Sequence, residues 1–254
     1  YLRWGYGDSS SSDTDGVISL NEWHHVIWTY DTTNAKIYID GVLKNTTAVS
    51  GKTITNTDNL YIGALNNNSS VTNYLDGSLA NVGIWSRALS ASEVQGIMYK
   101  KYADLSSADQ VSLVSWYGLD ADYNDAHGSN NGTNSGSTLT ASVYGGNAPS
   151  KPRISDSAPD VVDNYGTLHS GTALSFDGTN DYVDAGISPR ALVGSSSAFS
   201  VSAWINMDDD TNEYICGAME SGAERFYLRV VDASGIGYLR WGYGDSSSSD
   251  TDGV

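Results

Sequence analysis

The sequence predicts an all-β domain, an antiparallel β-sandwich of the jelly-roll kind carrying one short amphipathic helix. Three observations predict it. Short segments that alternate apolar and polar residues recur along the chain, each bounded by Gly, Asn, Asp or Ser. β-Branched and aromatic residues gather in those segments, as they do where a side chain must fit a pleated, packed surface. Helical spacing behind a capping signal is found in one stretch.

The elements follow in chain order. Trp23-His-His-Val-Ile-Trp-Thr-Tyr30 and Lys36-Ile-Tyr-Ile39 read as half-buried strands. Between Ile39 and Val42 stands Asp40-Gly41, a dipeptide that tolerates the positive φ of a tight hairpin turn. Leu60-Tyr-Ile62 and Val82-Gly-Ile-Trp85 continue the pattern. Ser90-Ala-Ser-Glu93 is a capping box, in which the Ser hydroxyl takes the N3 amide and Glu93 reaches back to the cap amide. Val94, Ile97 and Met98 follow at helical spacing, which predicts a helix over residues 91–102 lying against a sheet edge. Lys100 and Lys101 fall near its C-terminal end, where the helix dipole favours cations. Two turn-rich stretches, 120–137 and 145–166, separate this half from the strands Phe199–Ile205 and Arg225–Val230. The prolines (Pro149, Pro152, Pro159, Pro189) lie in or beside irregular parts, as ladder hydrogen bonding requires. Many short strands joined by turns favour a sandwich.

Composition bounds the partners. A net charge of −17, from 13 Lys and Arg against 30 Asp and Glu, argues against a nucleic-acid ligand, because phosphate contacts need clustered cations. No apolar run approaches the length that crosses a bilayer, so membrane insertion is not expected. An acidic, Lys-poor chain rich in Ser, Thr, Asn and Gly suits an extracellular, cell-surface or virion-surface appendage, or one that meets Ca2+. Cys216 is the single cysteine and sits in the apolar run Tyr214-Ile215-Cys216, so it reads as a small buried hydrophobe.

One feature organises the chain. YLRWGYGDSSSSDTDGV stands at residues 1–17 and again, letter for letter, at 238–254, an offset of 237 (238 minus 1). Chance duplication of seventeen residues is negligible.

Asn21-Glu-Trp-His-His-Val26, Ile37-Tyr-Ile-Asp-Gly41, Leu60-Tyr-Ile-Gly-Ala64, Leu75-Asp-Gly-Ser-Leu79 and Ile84-Trp-Ser-Arg-Ala-Leu-Ser90 resemble the second half of laminin-G-like jelly rolls. Those belong to the concanavalin A-like lectin/glucanase superfamily. Leu113-Val-Ser-Trp-Tyr-Gly-Leu-Asp120, His127–Thr133, Ala173–Asp184 and Phe199–Ile205 resemble the first half of the same family. The resemblance implies a concanavalin A-like sandwich in permuted order, starting near residue 109 and returning through residue 1 to about 108. Residues 1–108 would be the second half of one jelly roll and 109–254 the first half of the next, unless the chain closes on itself. A tandem array with a period of 237 explains the order without any extra event; a segment exchanged between neighbouring chains is the alternative.

Candidate chemistry is sparse. Glycosidases need paired carboxylates flanking the bond, and Glu22, Glu93, Glu213, Glu220 and Glu224 form no such pair, so no enzyme activity is expected. His24 and His25 are adjacent on a strand and point to opposite faces, so one strand does not bring both to one metal ion. Asp177, Asn180 and Asp181 share a tight loop whose oxygens could converge on Ca2+; the alternative is that the loop simply makes a turn. At Ala80-Asn81 the sequence departs from the acidic pair common in the family, which weakens any metal site there. Tyr238, Trp241 and Tyr243 are the candidate glycan-stacking platform beside the acidic run 245–252, although Leu239, Trp241 and Tyr243 share a parity that equally makes a core face. Asn45, Asn68 and Asn131 begin glycosylation sequons, a pattern frequent in such chains.

These readings combine into a non-catalytic repeat of an extracellular fibre or adhesin, stacked head to tail on identical neighbours. The alternative is a Ca2+-dependent carbohydrate-binding module, with glycans or cell-surface proteins as partners.

Overall fold

The alternating segments fold as strands in a computed structural model, which describes residues 17–49, 53–141, 172–194, 198–209, 211–220, 224–232 and 237–244. In chain order these are β1 (Val17–Ile18), β2 (Trp23–Tyr30), β3 (Asn34–Ile39), β4 (Val42–Ala48), β5 (Tyr61–Ile62), β6 (Leu65–Asn67), β7 (Ser70–Thr72) and β8 (Asp76–Trp85). Helix α1 (Ala91–Ile97) and a 3-10 turn at Tyr102–Asp104 follow. Then come β9 (Leu113–Tyr117), β10 (Thr133–Ser135), β11 (Thr138–Ala141), β12 (Thr172–Asp177) and β13 (Tyr182–Asp184). Helix α2 (Pro189–Val193), β14 (Phe199–Met207), β15 (Glu213–Glu220), β16 (Glu224–Asp232) and β17 (Gly237–Gly244) complete the set. Pro149, Pro152, Pro159 and His169 lie outside the described residues, as do 1–16 and 245–254 of the duplicated segments.

Two antiparallel sheets stack face to face. The first runs β1-β17-β16-β15-β5-β13-β10, and the second runs β11-β12-β8-β14-β2-β3-β4. β9 pairs with the far half of β8, and β6 with β7 forms a separate hairpin. Strands from before and after residue 108 are interleaved: β2 and β8 flank β14, while β5 lies between β13 and β15. Both stretches therefore contribute strands to one and the same pair of sheets. β1 adds to the edge of β17 with Val17 opposite Tyr238.

The core lies between the inner faces. Val26, Trp28 and Tyr30 of β2 meet Leu239, Trp241 and Tyr243 of β17 across it, joined by Phe199, Phe226, Leu228 and Ile205. Each such fully buried side chain contributes roughly 1.5–3 kcal/mol of transfer free energy. Cys216 is a buried member of this core, and burial pushes its thiol up to about 12.

Alternation in the second sheet does not mean a wet outer face. Every residue of β2 from His25 to Tyr30 is buried. Ile27, Tyr38, Trp85 and Trp116 point outward, where Leu89, Val94, Ile97 and Leu105 cover them. Helix α1 thus lies on the face of the sheet and not against its edge. Its capping box forms as its sequence predicts: the Glu93 amide donates to Ser90 Oγ (3.3 Å) and the Ser90 amide to Glu93 Oε2 (2.8 Å). The helix stops at Ile97, five residues short of the predicted end. The Trp204 indole N–H donates to the Met98 carbonyl at 2.8 Å, tying the end of the helix to the sheet beneath. Lys100 consequently finds Asp109, 2.6 Å away, instead of the helix terminus.

The Asp40-Gly41 turn takes positive φ at both residues, 51° and 74°. Asp40 adds a clamp: one carboxylate oxygen accepts from the His25 amide (2.9 Å) and the other lies 2.8 Å from His24 Nδ1. The two histidines separate as strand geometry requires, His24 toward this turn and His25 packed on Trp204.

Candidate functional site

With the outer face of the second sheet covered by α1, the outer face of the first sheet is where polar chemistry collects. β16 sends Phe226, Leu228 and Val230 inward, so Arg225, Tyr227, Arg229 and Val231 face out. β17 sends Leu239, Trp241 and Tyr243 inward, leaving Tyr238, Arg240 and Gly242 outside. Register sets Tyr227 opposite Gly242, Arg229 opposite Arg240 and Val231 opposite Tyr238.

This arrangement places two of the three platform residues in the core. Trp241 has no exposed surface, and Tyr243 is buried against Tyr30 with ring centroids 4.7 Å apart. Burial, with Tyr30 beside it, holds the Tyr243 phenol above its ordinary range. Neither ring has a face free for a sugar: the parity shared with Leu239 is the core face. Tyr238 alone of the three is on the outer face, half-buried beside Val17 and Val231.

The Asp177 loop is folded on itself. Asp177 Oδ1 accepts from the amides of Thr179 (2.9 Å) and Asn180 (3.3 Å), and Asp181 Oδ2 accepts from the Asp177 amide (3.1 Å). These are the bonds of an Asx turn, made by one oxygen of each carboxylate. Among the described residues no group of three or more His, Cys, Asp or Glu side chains is placed to hold a metal ion. Burial first, and the charge of Asp177 second, raise the Asp181 carboxyl above its usual range. Asp76, where β8 begins, is raised by desolvation and then by Asp208, Asp209 and Asp177. Ala80 and Asn81 lie inside β8, Ala80 buried and Asn81 with a φ of 51° at an irregularity in the ladder.

Glu93, Glu213 and Glu220 each bind backbone amides. Glu93 caps α1, Glu213 accepts from the Asp76 amide (2.8 Å), and Glu220 accepts from the Thr57 amide (2.7 Å). Of the sequon asparagines, Asn45 is buried while Asn68 and Asn131 are exposed.

One cleft on the outer face was not anticipated. Thr211, Asn212, Arg229, Val231 and Arg240 line an open cavity of about 460 Å3. The turn between β14 and β15 supplies its wall. Asp209 binds Thr211 there, Oδ1 accepting from the amide (3.1 Å) and Oδ2 from the hydroxyl (3.0 Å), and Asn212 takes a φ of 84°. Arg229 is braced from below: its guanidinium lies 5.3 Å from the Tyr214 ring centre and 5.1 Å from that of Tyr227. Its Nη1 donates to Asn212 Oδ1 (2.6 Å) and to the Tyr214 hydroxyl (3.1 Å). The sequence signal was present in the alternation Arg225-Phe-Tyr-Leu-Arg229, but opposing Arg229 to Arg240 needs the β16–β17 register.

No helix among the described residues is long and apolar enough to cross a membrane. A model of the Laminin_G_3 family, of the concanavalin A-like lectin/glucanases superfamily, matches residues 1–95. No curated protein matches the chain, and no solved structure matches it. The matched segment carries β1 to β8 and the capped start of α1. Residues 1–95 are thus similar to that family, and the two stacked sheets with few short helices form a concanavalin A-like β-sandwich.

Proposed function

We propose that the chain is a non-catalytic unit of an extracellular or surface fibre or adhesin, in which copies of this sandwich recur at a spacing of 237 residues (238 minus 1). The observation that carries this is a core strand written twice. In β17, Leu239, Trp241 and Tyr243 fill the core. Tyr1–Gly7 hold the same residues in the same order, so a strand formed there has the same apolar face, Leu2, Trp4 and Tyr6. One sandwich has one place for that strand, and residues 237–244 occupy it. A second strand with three large apolar side chains on one face needs a second sandwich to bury them.

Register supports the same conclusion. Val17 pairs with Tyr238, and Val254 is the counterpart of Val17 at the repeat offset. Each period of an array would thus offer the same valine at the repeat offset. The carbohydrate-binding alternative loses two of its three platform residues to the core.

A chain of two periods tests the proposal by electron microscopy and limited proteolysis. Two protease-resistant beads, centred about 45 Å apart as the size scaling of a compact domain gives, are expected. A single bead with a digestible remainder of one period's length, or a parent protein holding one copy, would overturn it.

A further inference from the structure

His24 ties the β1–β2 turn to the β3–β4 turn. It shares the inward parity of Val26, Trp28 and Tyr30, but it stands at the start of β2, just after the chain has crossed from the first sheet to the second. The Ser19 amide donates to its Nε2 (3.2 Å), and its Nδ1 lies 2.8 Å from Asp40 Oδ2. A backbone N–H can only donate, so Nε2 is the bare, accepting nitrogen. The ring proton is therefore on Nδ1 and is given to the Asp40 carboxylate. Geometry thus selects one neutral tautomer.

A second proton would have to enter at Nε2, the atom that holds Ser19. Imidazolium is a donor at both nitrogens, so the Ser19 amide would then face another N–H and lose its acceptor. The bond from Nδ1 to Asp40 would survive and gain charge assistance. The ring accordingly stays with the β3–β4 turn, and the Ser19 side of the contact gives way. That side is thinly held. β1 has two residues, which pair only with Tyr238 and Gly237 at the start of β17. Ile18 reaches the core and the Asn21 amide donates to the Met207 carbonyl (2.8 Å), with the Ser19 bond between these two anchors.

The other charged groups around the ring all favour its proton. Asp40 meets it from the β3–β4 turn, exposed Glu22 precedes it on the approach to β2, and Asp208 follows directly on β14. β14 itself sets apolar Ile205 opposite it. In the first sheet Tyr238 lies opposite Val17, and Asp232 lies one strand further, opposite Gly237. The Ser19 amide is the group that opposes the proton.

We propose that His24 is an acid-sensitive latch on the edge strand β1: neutral, it holds β1 against β17, and protonated, it lets β1 go. The sign follows from competition for one atom. Ser19 and the proton both need Nε2, so the released form takes up the proton more readily and falling pH favours release. One proton moves that equilibrium by at most about tenfold per pH unit. Release uncovers the edge of β17, whose unpaired backbone groups are then a template for another strand. The latch goes beyond the array proposal and stands without it.

The test is NMR of the whole chain across the range in which histidines gain their proton, from about pH 8 to about pH 5. At the alkaline end the ring nitrogens of His24 should report the Nδ1–H tautomer. Towards the acid end the Ser19 amide protection factor, corrected for intrinsic exchange, should fall at least about tenfold, while the core amides of Trp28 and Trp241 keep theirs. His24→Gln can accept from Ser19 through its oxygen and donate to Asp40 through its NH2, with no proton to gain. It should keep the protection and lose the pH dependence. Asp40→Asn, which suits the positive φ of that turn, removes the carboxylate that favours imidazolium and should move the fall to lower pH. An Nε2–H tautomer at the alkaline end, constant Ser19 protection across the range, or an undiminished fall in H24Q overturns the proposal. Should H24Q fail to fold, the wild-type tautomer and the D40N shift decide it.

Discussion

The indoles of Trp28 and Trp241 stack across the sandwich, ring centroids 5.7 Å apart and planes inclined by 22°. Trp28 belongs to the second sheet and Trp241 to the first, so this pair locks one sheet onto the other. Phe199 meets Trp28 edge-on at 4.5 Å, and Phe226 and Tyr243 close the cluster.

Truncating either indole should therefore be severe. Trp241→Ala and Trp28→Ala should each cost about 3–5 kcal/mol in urea or guanidinium unfolding. The double variant should cost less than the sum, with a coupling of about 1 kcal/mol or more, because each single variant already empties the shared space. Both indole N–H groups are buried without an acceptor, so Trp241→Phe, which also removes that donor, should be milder than the alanine variant. Strict additivity would show that the two rings do not pack as a unit.

Two aspartates should pull the pH dependence of stability in opposite directions. Burial works to raise the Asp125 carboxyl, but hydrogen bonds from the Gly128, Trp116 and His127 amides and from Ser115 more than offset it, leaving it below the ordinary value of 3.8. Its contribution is present above the unfolded value and is lost as pH falls through the lowered folded value. Asp76 is raised by desolvation and by three neighbouring aspartates. Ionised Asp76 thus subtracts from stability above its raised value, and the deficit closes as pH falls through that value toward 3.8. Asp125→Asn should cost about 2–4 kcal/mol at neutral pH, since four amides lose a charged acceptor. Asp76→Asn should instead raise the neutral-pH midpoint, with the gain shrinking in acid. Denaturation curves at pH 7 and pH 4 measure both, and a loss of stability in D76N at neutral pH would refute the assignment of strain to its charge.

Gly242 should tolerate no side chain. The Tyr227 ring lies over it, and a Cβ there would press into the ring atoms. Gly242→Ala should tilt Tyr227 and release its hold on Arg229, costing about 1–3 kcal/mol in denaturant unfolding. An alanine variant with wild-type melting would show that the Tyr227 ring does not depend on the open space at Gly242.

What the sequence made legible was local. The Asp40-Gly41 hairpin, the Ser90–Glu93 capping box and the strand alternation each depend on neighbours within a few residues, and each formed. The end of α1 depends on Trp204, which stands 106 residues from Met98, so helical spacing alone overran it. Parity placed Leu239, Trp241 and Tyr243 on one face, but which face meets the core is decided by the opposite sheet. The arginine pair is a property of register between two strands, and no single stretch of sequence displays it.

The segment between β8 and β9 is an arch tied at its base. The chain leaves β8 at Trp85 and returns to it with β9 at Leu113, and the two ends of this connection are sewn together. The Trp85 indole donates to the Asp109 carbonyl (2.9 Å), Arg87 Nε to the Val111 carbonyl (2.8 Å) and the Ser86 amide to the Ser112 carbonyl (2.8 Å). Tension applied to the two ends of the described sandwich would enter at β1 and leave at β17, neighbours on one sheet edge, and would bypass this tied arch and the aromatic core behind it.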